Sequence, residues 1–272
     1  MSKNLPPNPL KTASKLLLKP YDLDFEDLDK VFGKLFRHKL DYADLYFQYH
    51  RSEAWSLEEG IVKSGSFNIE QGVGVRAITG EKTAFAYSDD ISLKALKDAA
   101  DATRAIAAAG RRKTHKIEAV KKPLALYGAG NPHDSLDDVA KVKLLERLEA
   151  MARAEDPRVK EVMASLVGTW EVVLVARSDG HLAADIRPLV RVSVTVIMEE
   201  NGRREQGSAG GGGRYDYAYF SDAVLGDYAK AAVHHFLRTG EFTNLPTEVT
   251  LPLPRFAVPE FPAPAPRRCA PG

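Results

Sequence analysis

The stretch SFNIEQGVGVRAITGEKTAFAYSDD, Ser66 to Asp90, decides the fold. Its Gly72, Gly74 and Ala77 fit G-x-G-x-x-A, the turn that lays backbone N–H groups on a pyrophosphate at the start of a helix. The residues around and after them argue against that use. Val73, Val75, Ala77 and Ile78 continue as strand into Thr79-Gly80, so no helix N-terminus lies within reach of a phosphate. The glycines read instead as bulges or close backbone approaches inside an antiparallel meander.

Working outward, Leu45, Phe47 and Tyr49 alternate with Tyr46, Gln48 and His50, and Trp55 with Leu57 keeps the two-residue rhythm. Glu59-Gly60, Gln71-Gly72 and Thr79-Gly80 punctuate the segments at hairpin intervals, so residues 42–89 read as a meander. Phe25, Leu28, Val31, Phe32, Leu35 and Phe36 before it recur at helical spacing behind an Asp24 cap. Leu93, Leu96, Ala99, Ala100, Thr103 and Ile106 after it form a second helix face, which Gly110 stops. The order then repeats. Ser135 and Asp138 suggest a cap for a helix striped by Leu136, Val139, Val142, Leu145, Leu148 and Met151. Strands are expected at 159–167 and 170–177, and again at 181–187 and 189–199 after a turn at Ser178-Asp179-Gly180. A last helix carries Val224, Leu225, Tyr228, Ala232, Val233, Phe236 and Leu237.

The expected fold is therefore α+β, a duplicated helix/antiparallel-meander/helix unit in two layers of sheet and helices. Residues 1–23 read as an N-terminal extension and 24–240 as one domain, with units at 24–110 and 135–240 about a basic linker, 111–134. The last 27 residues, from Pro246, hold eight of the sixteen prolines, so 241–272 reads as an extended tail.

Composition narrows the function. With 38 basic and 37 acidic residues, the total charge favours neither nucleic acid nor a membrane surface. The single cysteine, Cys269, forms no internal disulfide and suits a reducing compartment. The first residues lack an apolar signal core, so the start reads as cytosolic, and the apolar windows are too broken or short to span a bilayer.

GSAGGGGR, Gly207 to Arg214, lacks the Lys-Ser/Thr ending of a P-loop. It reads either as a mobile loop or as backbone that receives an extended peptide or partner strand, with Arg214 placed to hold a carboxylate. His234 and His235 point about 100° apart on a helix and cannot chelate one ion as an i, i+4 pair would. Arg111, Arg112, Lys113, Lys116, Lys121 and Lys122 read as a solvated linker, since no aromatics interleave them for stacking on bases.

Three long stretches carry a resemblance: LDYADLYFQYHRSEAWSLEEGIVKSGSFNIEQGVGVRAITGEKTAFAYSDDISLKAL, SLVGTWEVVLVARSDGHLAADIRPLVRVSVTVIMEENGRREQGSAGGGGR and the helix ending KAAVHHFL. From about residue 24 to about 237 the chain resembles the TldD/PmbA metallopeptidase family, once described as modulators of DNA gyrase. The resemblance implies the N-terminal α+β domain of a cytoplasmic zinc peptidase, paired with a PmbA (TldE) paralogue and acting on unfolded or precursor peptides. It places the zinc on an H-E-x-x-x-H helix and a cysteine of a C-terminal domain. This sequence contains no such helix, and its tail from Arg238 resembles nothing in the family. The expectation is a truncated chain, inactive alone, without catalytic or metal residues or a cofactor of its own. The competing reading is a stand-alone module that binds peptides or partners in competition with the full-length peptidase. Arg76, Gly210, Gly211, Gly212, Gly213 and Arg214 are the peptide- or partner-binding candidates, beside the plainer reading of the two arginines as surface residues.

Overall fold

The structure is a computed structural model, and it describes residues 8–37, 39–103, 118–119 and 126–240, the side chains of 118–119 and 235–240 excepted. Most of the linker 111–134 with its basic cluster, Gly110, and the tail 241–272 with Cys269 lie outside the described residues.

Two helices come first, α1 (Pro9–Leu17) and α2 (Phe25–Leu35). Asp24 caps α2 in a full capping box: its carboxylate accepts from the Asp27 N–H, and Asp27 returns the bond to the Asp24 N–H. Then come β1 (Tyr42–Glu58), β2 (Ile61–Thr79), β3 (Lys82–Ser88) and α3 (Leu93–Thr103). The second half holds a two-residue bridge, β4 (Glu118–Ala119), and α4 (Asp138–Glu155), β5 (Val159–Arg177), β6 (His181–Glu200), β7 (Arg203–Gly213) and α5 (Asp222–Gly240). Six antiparallel strands form one sheet in the order β3-β2-β1-β5-β6-β7, and β4 adds a short parallel contact at the start of β6. The α+β duplication is thus present, and the halves meet where β1 pairs β5.

Alternation puts the inward side chains of every strand on one face. Leu45 sits opposite Val75 and Ala176, and Leu57 opposite Ala164. Two cores lie on that face. α1, α2 and α3 cover one end of the sheet, burying Leu17, Phe32, Phe47, Val75 and Leu174. α4 and α5 cover the other, burying Leu145, Leu148, Leu166, Val194 and Leu225.

Several expectations change. The supposed extension 1–23 is part of the first core from residue 9, since Ala13 and Leu17 are completely buried. Within the domain, the unit at 135–240 helps to build the first core, because β5 and β6 supply Val172, Leu174, Ala176, Leu182 and Ile186 to it. Gln71-Gly72 is no turn; β2 runs through it, and Gly72 is there because a Cβ would press the Ser88 carbonyl at 2.8 Å. The expected breaks at 168–169 and at Pro188 are absent, and β5 and β6 run 19 and 20 residues.

Pro188 survives in mid-strand for a geometric reason. It pairs Trp170 on one side, while among the described residues β7 reaches only to Val190 on the other. Its carbonyl faces that vacant side, where it accepts from Arg214 Nη1 at 3.3 Å. A strand residue points its N and C=O the same way, so the missing N–H also faces the vacancy. α4 is rotated from the expected stripe. Its buried face is Lys141, Leu144, Leu145, Leu148, Glu149 and Ala152, and Val139 is 63 % exposed.

Candidate functional site

The predicted candidates fall at separate places. Arg76 lies on the face of the sheet opposite the described helices, where Nε and Nη2 donate to the buried Asp44 carboxylate, the former at 2.9 Å. It also lies over the Tyr42 ring. Arg214 donates to Pro188 and stacks over Tyr127, whose hydroxyl donates to Asp185 at 2.8 Å. Both arginines have structural partners. Gly210, Gly211, Gly212 and Gly213 are β7 itself rather than a loop, paired with Ser193 to Val190 of β6. A Cβ at Gly212 would overlap the Val190 carbonyl, and one at Gly211 would overlap the Tyr228 hydroxyl of α5. These glycines let β6 and α5 close on the strand. Among the described residues nothing pairs the outer edge of β7.

Gly72 and Gly74 line a shallow cavity of about 350 Å³ on the same face as Arg76, with Tyr46, His50, Phe85 and Tyr87. The Phe85 ring covers Gly74, and a Cβ there would meet it at 2.8 Å. This is a close approach inside a sheet, with no helix N-terminus to cradle a phosphate.

The most developed polar site has no signature in the sequence. It lies on the helical face between the two cores, in a cleft of about 820 Å³. β1 provides Arg51, Glu53 and Trp55, and β2 provides Phe67. The wall is a 3-10 turn, Pro132–Asp134, and the first turn of α4. The Glu53 carboxylate accepts from Lys141 Nζ at 2.9 and 3.0 Å and from the Tyr217 hydroxyl at 2.7 Å. All three are nearly inaccessible to solvent. Burial first, then the bond to Glu53 and its charge, holds the Tyr217 hydroxyl well above the ordinary phenol range, so it stays a donor.

Gly168 makes this possible. It pairs both Glu53 and Val190 in the middle of the sheet, and a Cβ there would overlap the Tyr217 hydroxyl. The gap that reads as a strand break is the space through which Tyr217 reaches Glu53.

His133, 5 % exposed, puts Nε2 3.1 Å from the Gly168 carbonyl. That carbonyl can only accept, so Nε2 carries the hydrogen and neutral Nδ1 is an acceptor. Burial is the largest influence and lowers the His133 pKa, with Arg51 and Lys141 adding to it against the Gly168 bond and Glu53. The ring is neutral near pH 7. Among the described residues Nδ1 has no partner, and neither do the buried Arg51 Nε and Trp55 Nε1. Arg51 lies 4.8 Å over the Phe67 ring.

Among the described residues no group of three or more His, Cys, Asp or Glu side chains gathers to hold a metal, so they offer no donor set for zinc. None of their helices is long and apolar enough to cross a membrane.

Comparison with known proteins defines the class. Residues 43–109 match PmbA/TldA metallopeptidase domain 1, and 131–238 match the PmbA/TldA metallopeptidase central domain. The sheet and its helices are thus the first two domains of a metallopeptidase type. The chain belongs to the TldD/PmbA metallopeptidase family. It is 47% identical over 235 residues to a metalloprotease TldD homolog of Haemophilus influenzae, covering 84% of this chain and 49% of the relative. A TldD homolog of Buchnera aphidicola subsp. Schizaphis graminum is 40% identical over 218 residues, 78% of this chain and 44% of the relative. The chain spans about half the length of these relatives. Solved structures share the fold. A Thermotoga maritima protein described as a modulator of DNA gyrase has a TM-score of 0.61 at 13% identity, covering 78% of this chain and 47% of that one. TldE of Thermococcus kodakarensis has a TM-score of 0.54 at 13% identity, covering 75% and 46%.

Proposed function

We propose that this chain is the scaffold half of a TldD-type zinc peptidase that degrades unfolded or precursor peptides in the cytoplasm. In this reading it assembles with a PmbA/TldE-like paralogue and helps to hold flexible peptide, while the zinc and the hydrolytic groups come from the remainder of such a peptidase. Alone it is inactive. The observation that carries the reading is the 47% identity to a metalloprotease TldD homolog across most of the chain. The likeness to a TldE fold supports a related partner, and the unpaired edge of β7 at Gly210–Gly213 supports strand addition by a peptide or that partner. Arg214 directly follows β7 at that edge, whereas Arg76 lies on β2 near the other end of the sheet.

The test is co-purification of the tagged chain with a PmbA/TldE-type paralogue, followed by hydrolysis of an unstructured peptide with added zinc and with chelator. A stable complex without hydrolysis by the lone chain is expected. Chelator-sensitive cleavage by the lone chain, or failure to form any complex, overturns the reading.

A further inference from the structure

We propose that the aromatic cavity on the face of the sheet opposite the described helices is the docking site for this chain's own proline-rich tail, with Pro262–Arg268 seated as polyproline II. The register builds the cavity. Tyr46 of β1 and Tyr87 of β3 both stand opposite Gly74 of β2, one on each side. With neighbouring strands about 4.8 Å apart, the two tyrosines frame a slot roughly 10 Å wide. The Phe85 ring lies across the space that Gly74 leaves open and forms the floor. Phe85 and Tyr87 are 62 % and 81 % exposed, their rings stacked 6.4 Å apart, and bare aromatic surface of this kind marks a contact site. The side chains of His50 and Tyr87 have no hydrogen-bond partner among the described residues. Two carboxylates, Glu70 and Asp89, line the cavity, and no lysine or arginine does.

The sequence after α5 supplies a matching occupant. PAPAPRR, Pro262 to Arg268, sets three prolines at alternate positions before two arginines. Proline holds φ near about −65°, so such a sequence loses little entropy when it docks as polyproline II in an aromatic groove. That conformation has no internal hydrogen bonds, and its carbonyls can accept from the free donors of His50 and Tyr87. Arg267 and Arg268 complement Glu70 and Asp89. Length permits the contact: residues 241–261, at about 3.1 Å each, reach up to about 65 Å, against roughly 45 Å across a domain of this size. The tail can therefore pass from the end of α5 to the opposite face of the sheet.

This inference does not depend on the peptidase reading, and its test needs neither partner nor metal. Cys269, the single cysteine of the chain, directly follows Arg268, so a nitroxide attached there reports where the segment lies. In the isotope-labelled full chain, the amide signals of Gly72, Gly74 and Asp89 are expected to lose intensity relative to the same sample with the nitroxide reduced, while those of α4 keep theirs. Phe85→Ser/Tyr87→Ser, checked for folding by circular dichroism, should restore the lost signals. Arg267→Glu/Arg268→Glu should restore them without altering any residue of the sheet. A mixture of isotope-labelled chain without nitroxide and nitroxide-bearing chain without isotope should show no loss. Uniform or absent signal loss, or a loss that survives both pairs of substitutions, overturns the proposal. Loss in the mixed sample overturns it too, since the tail would then dock on a second copy.

Discussion

The two cores sit under the same face of one sheet, yet they are built by different rules. The first is closed by aliphatic and aromatic side chains from α1, α2 and α3 against β1, β2, β5 and β6. The second places Lys141 and Glu149 on the buried face of its covering helix. Glu149 accepts from the Gly60 N–H at 2.8 Å and from Arg153 at 2.9 Å, and Lys141 meets Glu53. A charge can lie under a sheet when its lone pairs and protons find partners.

The largest effect should come from dividing the ion pair. Lys141→Met leaves the Glu53 carboxylate buried with Tyr217 alone and is expected to cost about 3–5 kcal/mol in urea denaturation. The double change Glu53→Leu/Lys141→Met should recover most of that; a single variant costing under about 1 kcal/mol would erase the distinction between the cores. In the first core Leu17→Ala should cost about 3 kcal/mol, a cavity effect that the double change of an apolar pair cannot mimic. An effect within about 0.5 kcal/mol would return residues 9–17 to the status of an extension.

Gly168→Ala tests the border. Crowding of the Tyr217 hydroxyl should cost about 2 kcal/mol, and the loss should shrink when Tyr217→Leu removes that hydroxyl. His133 gives a smaller, pH-dependent term. Its folded pKa is lowered, so as pH falls below the unfolded value of about 6.5 the unfolded chain takes up a proton that the folded chain refuses. Stability present above that pH is lost as pH falls toward the folded pKa, with a slope of at most about 1.4 kcal/mol per pH unit. Urea midpoints at pH 7.5 and 5.5 should therefore differ less in His133→Gln than in the unaltered chain. Last, Val139→Ser on α4 should stay within about 0.5 kcal/mol, whereas the sequence stripe makes Val139 a core residue.

The duplicated order of elements is legible because amphipathic period survives in α2, α3 and the strands, and because Asp24 caps as its position suggests. Local punctuation misleads. Gly72, Gly168 and Pro188 each read as an interruption, but each answers a neighbour distant in sequence: Ser88, Tyr217 and Arg214. The phase of α4 is hidden for a related reason, since Lys141 and Glu149 look like solvent residues until Glu53 and Gly60 are brought beside them. His133 falls in a stretch that reads as linker, though Tyr127 and the Pro132–Asp134 turn tie that end of it to the sheet. Arg76 and Arg214 read as free charges, yet they are tied to Asp44 and Pro188. The cleft has no motif; its members come from two strands, a turn and a helix, and only the register joins them.

The continuity of β5 and β6 beneath both cores has a consequence for how the molecule comes apart. A nick in the connection near residues 110–125 would leave an N-terminal piece lacking Val172, Leu174, Ala176, Leu182 and Ile186, the residues that complete its own interior. Neither piece could shelter its apolar side chains without the other, so the pair should reassemble by complementation, and the intact chain should melt in one transition.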